Sequence, residues 1–361
     1  MSRRIFERMG AGARARTFAL CAALAVLSAA RTQAQDKAFE QEIDKSIDGG
    51  LAYLASVQLP DGSFPGEHGK GGAISALAGM AFLAKGYVPG EDQYGVCINK
   101  SVDYILGIPD DKGFFGKIQE GNGKMYAHSI CTLFLSEVSG MVDAARQARL
   151  DAVLPKAVKI LLDAQNVKKN ARDTGGWRYT QTSNDSDMSC SGWALMALRS
   201  CRLNGGRVPP DAIERAVAYV KRHHNPGQGN FVYQQGGEES FPVTLTGAGI
   251  LCLELCGRHN DPDSLRAARY LLRVYRELES QERAFYGMYY TAQGLFQIGG
   301  ESWQVFSNWM YRTWMPKQGS DGGWGGQEVS RSYSTALMLL AFTVPYRQLP
   351  IYQRDETVDE E

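Results

Sequence analysis

Two aspartates, a histidine and a set of aromatic residues are the side chains of this 361-residue chain best suited to chemistry. The string Asn184-Asp185-Ser186-Asp187-Met188-Ser189 sets Asp185 and Asp187 just ahead of the apolar run Trp193-Ala194-Leu195. A carboxyl held protonated at such a place can act as a general acid. Asp187 is equally well suited to capping a helix start, a role worth ~1 kcal/mol. His128 precedes a similar run. Brought against Asp187, it would form a general acid/base pair; left in the core, it would be an imidazole satisfied by hydrogen bonds. Tyr126, Trp193, Tyr289, Tyr290 and Tyr333 fall near the same helix starts. Their faces suit a polyprenyl chain, a carbocation or a sugar ring, and also ordinary packing. Glycoside cleavage needs two opposed carboxylates, for which Asp185 and Asp187 are available, with Glu238 and Glu239 less well placed.

Other signatures are missing from the sequence. It contains no C-x-x-C, no H-E-x-x-H, no phosphate-binding G-x-x-x-x-G-K-[ST] and no G-x-S-x-G elbow, so no metal or cofactor is expected. His223-His224 reads as the cationic end of an outer helix rather than a metal site.

Composition narrows the class of protein. With 44% apolar and 22% charged residues the chain is globular rather than disordered. Residues 1–34 hold six Arg and one Glu, so 33 basic and 38 acidic side chains remain beyond them. That balance argues against a nucleic-acid partner. Residues 1–34 themselves read as an export signal. Arg3 and Arg4 with Phe6 fit a twin-arginine or general secretion signal, the apolar stretch Thr17–Ala30 is short for a membrane span, and small residues follow near Ala34. The mature protein is expected outside the cytoplasm, touching membrane only through an uncleaved signal or peripherally. Six cysteines remain beyond Cys21. Cys131, Cys190, Cys252 and Cys256 lie in apolar helical patterns, which favours buried thiols over disulfides.

The elements that must position these residues come from a repeat. Tyr53-Leu54, Gln58 and Asp61-Gly62-Ser63-Phe64 open it. Gln318 and Asp321-Gly322-Gly323-Trp324 close it. Between them lie Gly113-Phe114-Phe115, Gln165 with Gly175-Gly176-Trp177, Gly229-Asn230-Phe231 and a degenerate Phe285-Tyr286-Gly287. After each comes an apolar run carrying a hydroxyl: Ser75, Ser129, Ser191, Thr246, Thr291 and Thr335. Each repeat predicts one amphipathic helix, as around Lys156–Ala164, and one nearly uncharged helix, as around Thr335–Phe342. A helix apolar all round has to be buried, so the second set forms an inner layer. The expectation is an all-α (α/α)6 toroid of six helical hairpins in one domain over 40–350, followed by an acidic tail over 351–361.

This pattern resembles the α/α-toroid repeat of squalene-hopene-type terpene cyclases and protein prenyltransferase β subunits. The copies fit the cyclase QW motif: Lys156-Ala157 leads to Gln165 and Trp177, and Arg215-Ala216 leads to Phe231, with His224 in the Gln place. The resemblance spans the mature chain and implies that Gln and the aromatic tie turns to helix ends. It implies no zinc, because Tyr286, Met288 and Ser334 stand where the prenyltransferases have Asp, Cys and His. The position of that His is matched by His128 one repeat before Asp187. The cyclases' D-x-D-D-T stretch is kept only in part around Asp185 and Asp187, which leaves a proton-donor role for Asp187 open. The sequence is thus read as an exported toroid protein. It would bind an elongated apolar, isoprenoid-like or glycan ligand, or a protein partner, in an aromatic-rimmed cavity. The alternatives are a class II terpene cyclase acting through Asp187 and a carbohydrate-active (α/α)6 enzyme.

Overall fold

A computed structural model describes residues 36–65, 72–117, 123–234, 242–325 and 330–353. The chain divides into two compact units, Met1–Ser46 and Ile47–Glu361. In the first, residues 36–46 are described and are helical; the expected export signal lies outside the described residues.

The second unit alternates outer and inner helices. The outer ones are α1 (47–57), α3 (Gln93–Leu106), α5 (Ala144–Asn166), α7 (Pro210–Arg222), α9 (Pro262–Val274) and α11 (Gly300–Trp314). The inner ones are α2 (Ala73–Lys85), α4 (Lys124–Val138), α6 (Met188–Leu203), α8 (Pro242–Leu255), α10 (Ala284–Ile298) and α12 (Arg331–Phe342). Each inner helix packs on the next, and α12 packs on α2, so the ring closes. The chain has the α/α-toroid fold that its repeats predict.

Charge sorts the two layers. In α7, Ala212, Ile213, Ala216, Val217, Tyr219 and Val220 are buried at helical spacing, while Asp211 and Glu214 face water. In α8 every residue from Val243 to Leu255 is buried. Burying each large apolar side chain of that kind contributes roughly 1.5–3 kcal/mol. Glycines let the inner helices approach closely. A Cβ on Gly247 of α8 would sit 2.5 Å from the Thr291 backbone nitrogen of α10.

The repeat motif is a clamp between turn and helix. Gln165 Nε2 donates to Gly175 O (3.0 Å) in its own turn and to Ala212 O (2.9 Å) of the following outer helix. Gln58 reaches Cys97 O (3.0 Å) on α3 in the same way. Trp177 and Trp324 send their indole N–H groups to Leu161 O and Trp314 O, both at 2.8 Å. His224, in the Gln place, instead meets Asp263 of α9 at 3.1 Å. The column of hydroxyls completes the clamp. Ser191, Thr246 and Thr335 accept from the backbone N–H of Trp177, Phe231 and Trp324 at 2.9–3.0 Å.

Two expectations change. The fifth repeat has no turn at Phe285-Tyr286-Gly287, because those residues lie in the first turn of α10 and Phe285 packs on Trp314 at 5.2 Å. The C-terminal tail does not start at 351: Ile351 and Tyr352 are buried in a 3₁₀ turn (Pro350–Tyr352). Apart from the short antiparallel pair His224–Asn225 with Asn230–Phe231, the described residues contain only isolated bridges. Among the described residues the six cysteines are free thiols; Cys131, Cys190 and Cys252 are buried as expected, Cys97 and Cys201 are buried too, and Cys256 is half-buried.

Candidate functional site

The inner helices all start at one end of the ring, and Asp187 stands there. It caps α6: Cys190 N donates to Asp187 Oδ1 at 2.8 Å. Its backbone pairs with Trp177 as an isolated bridge, which brings the next residue, Arg178, alongside. Arg178 Nη1 lies 3.0 Å from Asp187 Oδ2, and Arg178 Nε lies 3.2 Å from Asp185 Oδ2. Asp185 in the bend and Asp187 in the bridge thus place both carboxylates on one guanidinium. Asp187 is fully buried. Burial raises its pKa to about 6, against the lowering by the Cys190 N–H and by Arg178. At neutral pH it is therefore a carboxylate held in an ion pair.

Arg178 organises the surroundings. Its guanidinium lies over the Tyr179 ring at 4.1 Å and the Tyr233 ring at 5.5 Å, and Nη1 donates to Tyr233 Oη at 2.9 Å. The Tyr179 and Tyr233 hydroxyls hydrogen-bond to each other. Tyr126, from the start of α4, lies 6.2 Å from Tyr179, ring to ring, and is half-buried like Tyr179 and Tyr233. Arg178, Tyr179 and Tyr233 escaped the sequence reading. The available signal was position: each follows a clamp aromatic, Trp177 or Phe231, by one or two residues.

His128 does not meet Asp187. Its Nδ1 accepts from Phe115 N at 3.3 Å and its Nε2 donates to Ala157 O at 3.1 Å, so both ring nitrogens are used, one by the turn of the second repeat and one by α5 of the third. It does for Phe115 what Ser191, Thr246 and Thr335 do for Trp177, Phe231 and Trp324. Burial lowers its pKa to about 4, which keeps it neutral. The expected acid/base pair gives way to the core-histidine alternative.

Trp193, Tyr289 and Tyr290 are not rim faces either. They fill the lumen. Trp193 of α6 stacks on Tyr289 of α10 with centroids 5.4 Å apart and planes within 5°. Since α6 and α10 are separated by α8 in the ring, this pair meets inside the lumen, in front of α8. Tyr290 lies 5.5 Å from Trp193 and 4.9 Å from Tyr286, whose hydroxyl bonds Ser189 Oγ at 2.6 Å, a second link from α10 to α6. From the other end Tyr352 enters and hydrogen-bonds the Tyr289 hydroxyl. Tyr333 is half-buried in the first turn of α12, opposite α6 in the ring order. Glu238 and Glu239 lie outside the described residues. No group of three or more potential metal-binding side chains occurs among the described residues.

No protein-family model matches the sequence. Solved structures do match in fold. An inactive variant of an alpha-1,6-mannanase from Salegentibacter sp., in complex with alpha-1,6-mannotriose, superposes with a TM-score of 0.58 at 12% identity, over 83% of this chain and 98% of that one. The apo type II terpene cyclase MstE from Scytonema gives 0.55 at 14% identity, over 86% and 99%. A variant of MstE with its substrate geranylgeranyl dihydroxybenzoate gives 0.55 at 13%, over 87% and 99%. At these identities the likeness is one of fold.

Proposed function

We propose that this toroid protein is an exported binding protein that holds a saccharide at the mouth of its ring. The carrying observation is the Arg178 cluster. Three half-buried tyrosines, a guanidinium and the part-exposed Asp185 carboxylate form a shallow polar and aromatic platform above a lumen bridged by Trp193 and Tyr289. Aromatic faces receive the C–H face of a sugar, and Arg and Asp hydrogen-bond its hydroxyls. A polyprenyl chain needs a deep apolar cavity, and here side chains of α6 and α10 meet inside the lumen. Fold neighbours carry mannotriose in one case and an isoprenoid substrate in the other, and the occupied lumen favours the saccharide.

Calorimetric titration of the mature protein with alpha-1,6-mannotriose tests this. Saturable binding weakened by Tyr233→Ala or Asp185→Asn, without release of a reducing end, is the expected result. Hydrolysis of the sugar, or no saccharide binding across a panel of neutral oligosaccharides, overturns it. Export is checked by fractionating cells that express the full chain. A second reading keeps Asp187 as a proton donor, favoured by the pKa that burial raises to about 6. It requires turnover of an isoprenoid that Asp187→Asn abolishes.

A further inference from the structure

A second surface stands apart from the mouth. Helix α11 and the 3₁₀ segment Tyr275–Ser280 enclose an open groove of about 490 Å³ on the outer layer. Along α11 two ridges run side by side at i, i+4 spacing. Gln304, Asn308 and Arg312 form a polar ridge, and Val305 and Trp309 form an apolar one. Trp309 is half-buried and pinned by an edge contact to Tyr275 at 5.0 Å and a tilted contact to Phe306 at 5.8 Å. Such an indole is a rigid platform whose ordering cost is already met in the free protein. Arg312 Nε donates to Asn308 Oδ1 at 3.0 Å, which orients both side chains. Arg276 closes the far side, exposed to water, with its guanidinium 5.6 Å from the Tyr275 ring.

The composition of the lining selects an occupant. An apolar helix or peptide would want a row of aliphatic residues, and Val305 is the one aliphatic in the lining. Indole beside amides is a lining for a pyranose ring, stacked by its C–H face and bonded through its hydroxyls. Two arginines line the groove and no carboxylate does among the described residues, so its charge is complementary to an anion. We propose that this groove is a second carbohydrate-binding site, specific for an acidic saccharide, with a uronate stacked on Trp309 and its carboxylate between Arg276 and Arg312. The site is independent of the one at the ring mouth.

The test is titration of the mature protein with trigalacturonate, followed by calorimetry and by tryptophan fluorescence. Binding that quenches Trp309, that Arg276→Gln weakens about tenfold, and that falls as salt rises from 0.01 to 0.15 M is the expected result. Trp309→Ala should abolish it. Because that variant also removes contacts to Tyr275 and Phe306, the exposed Arg276→Gln is the variant that decides if Trp309→Ala unfolds. Tyr233→Ala at the ring mouth must leave this affinity unchanged; losing it would place the acid sugar at the mouth and overturn the groove. Equal affinity for mannotriose in the groove would overturn the acidic specificity. Equal affinity for tri-glutamate, insensitive to Trp309→Phe, would make the groove an acidic-peptide site and overturn the saccharide.

Discussion

The backbone N–H of Ile351 donates to Glu137 Oε2 at 3.1 Å, joining the C-terminal 3₁₀ turn to the last turn of α4 across 214 residues. Ser200 Oγ, on α6, bonds the other carboxylate oxygen. Tyr352 completes the junction: its carbonyl accepts from Gln297 Nε2 at 3.0 Å and its hydroxyl meets Tyr289. One short turn thus ties α4, α6 and α10 together at the end of the lumen opposite Asp187.

If this turn is part of the core, removing its side chains should behave as core truncation. Tyr352→Ala is expected to destabilise the protein by about 3 kcal/mol, the range for large aromatic-to-alanine changes. Urea unfolding measures it. A change within 0.5 kcal/mol, as roughly expected of a surface site, would mean that the turn is a detachable tail.

Glu137 makes stability depend on pH. Burial raises its pKa to about 7 from 4.5, against hydrogen bonds from Ser200 and Ile351 that lower it. A raised carboxyl pKa means the folded state prefers the protonated form. That stabilisation is complete below about 4.5 and is lost as pH rises through about 7. Asp187 acts in the same direction between 3.8 and about 6. His128 acts in the opposite one, because its lowered pKa costs stability as pH falls from 6.5 to about 4. Glu137→Gln can keep accepting from Ile351 N and donate to Ser200, so it should match the parent near pH 4.5 and exceed it at pH 8. Melting curves across that span decide; identical pH slopes for the two proteins would refute the assignment.

Arg178 leaves a buried charge behind if it is removed. Arg178→Ala should cost roughly 3–5 kcal/mol, the loss seen when one partner of a buried ion pair is deleted. Asp187→Asn in the same chain should recover part of that loss, since the amide can still cap α6 through its oxygen. A double-mutant cycle on unfolding free energies reads the coupling. Additive losses would show that the pair is not coupled.

Ring closure depends on a glycine contact. Gly322 has φ +88°, and a Cβ there would lie 2.1 Å from Gly49 O of α1. Gly205 has a similar φ of +80° with open space around it. Gly205→Ala should cost about 1 kcal/mol from the left-handed backbone alone. Gly322→Ala should cost roughly 1–3 kcal/mol more from the clash. Thermal denaturation of the two variants side by side tests the difference.

Much of this architecture is legible in the residues themselves. Nearly uncharged helices, such as α8 with Glu254 as its one carboxylic acid, must lie inside, and amphipathic ones such as α7 must cover them, because desolvating many charges costs more than ring geometry could return. Gly175, Gln165 and Trp177 mark the clamp for similarly local reasons: a positive φ, a two-way amide and an indole N–H that needs an acceptor. Asp187 as a cap needs only the helix that follows it. Arg178 between Asp185 and Asp187, the stack of Trp193 on Tyr289 and the docking of Tyr352 were decided by tertiary structure. Arg178 reaches its two carboxylates through the folded turn of a single hairpin, closed by the Trp177–Asp187 bridge. The stack and the Tyr352 contact join residues from different hairpins, and α6 meets α10 past α8 only because the ring is narrow enough for their side chains to touch in the lumen. That radius is set by how closely all the inner helices pack at once, through contacts such as Gly247 on Thr291, which no single repeat encodes.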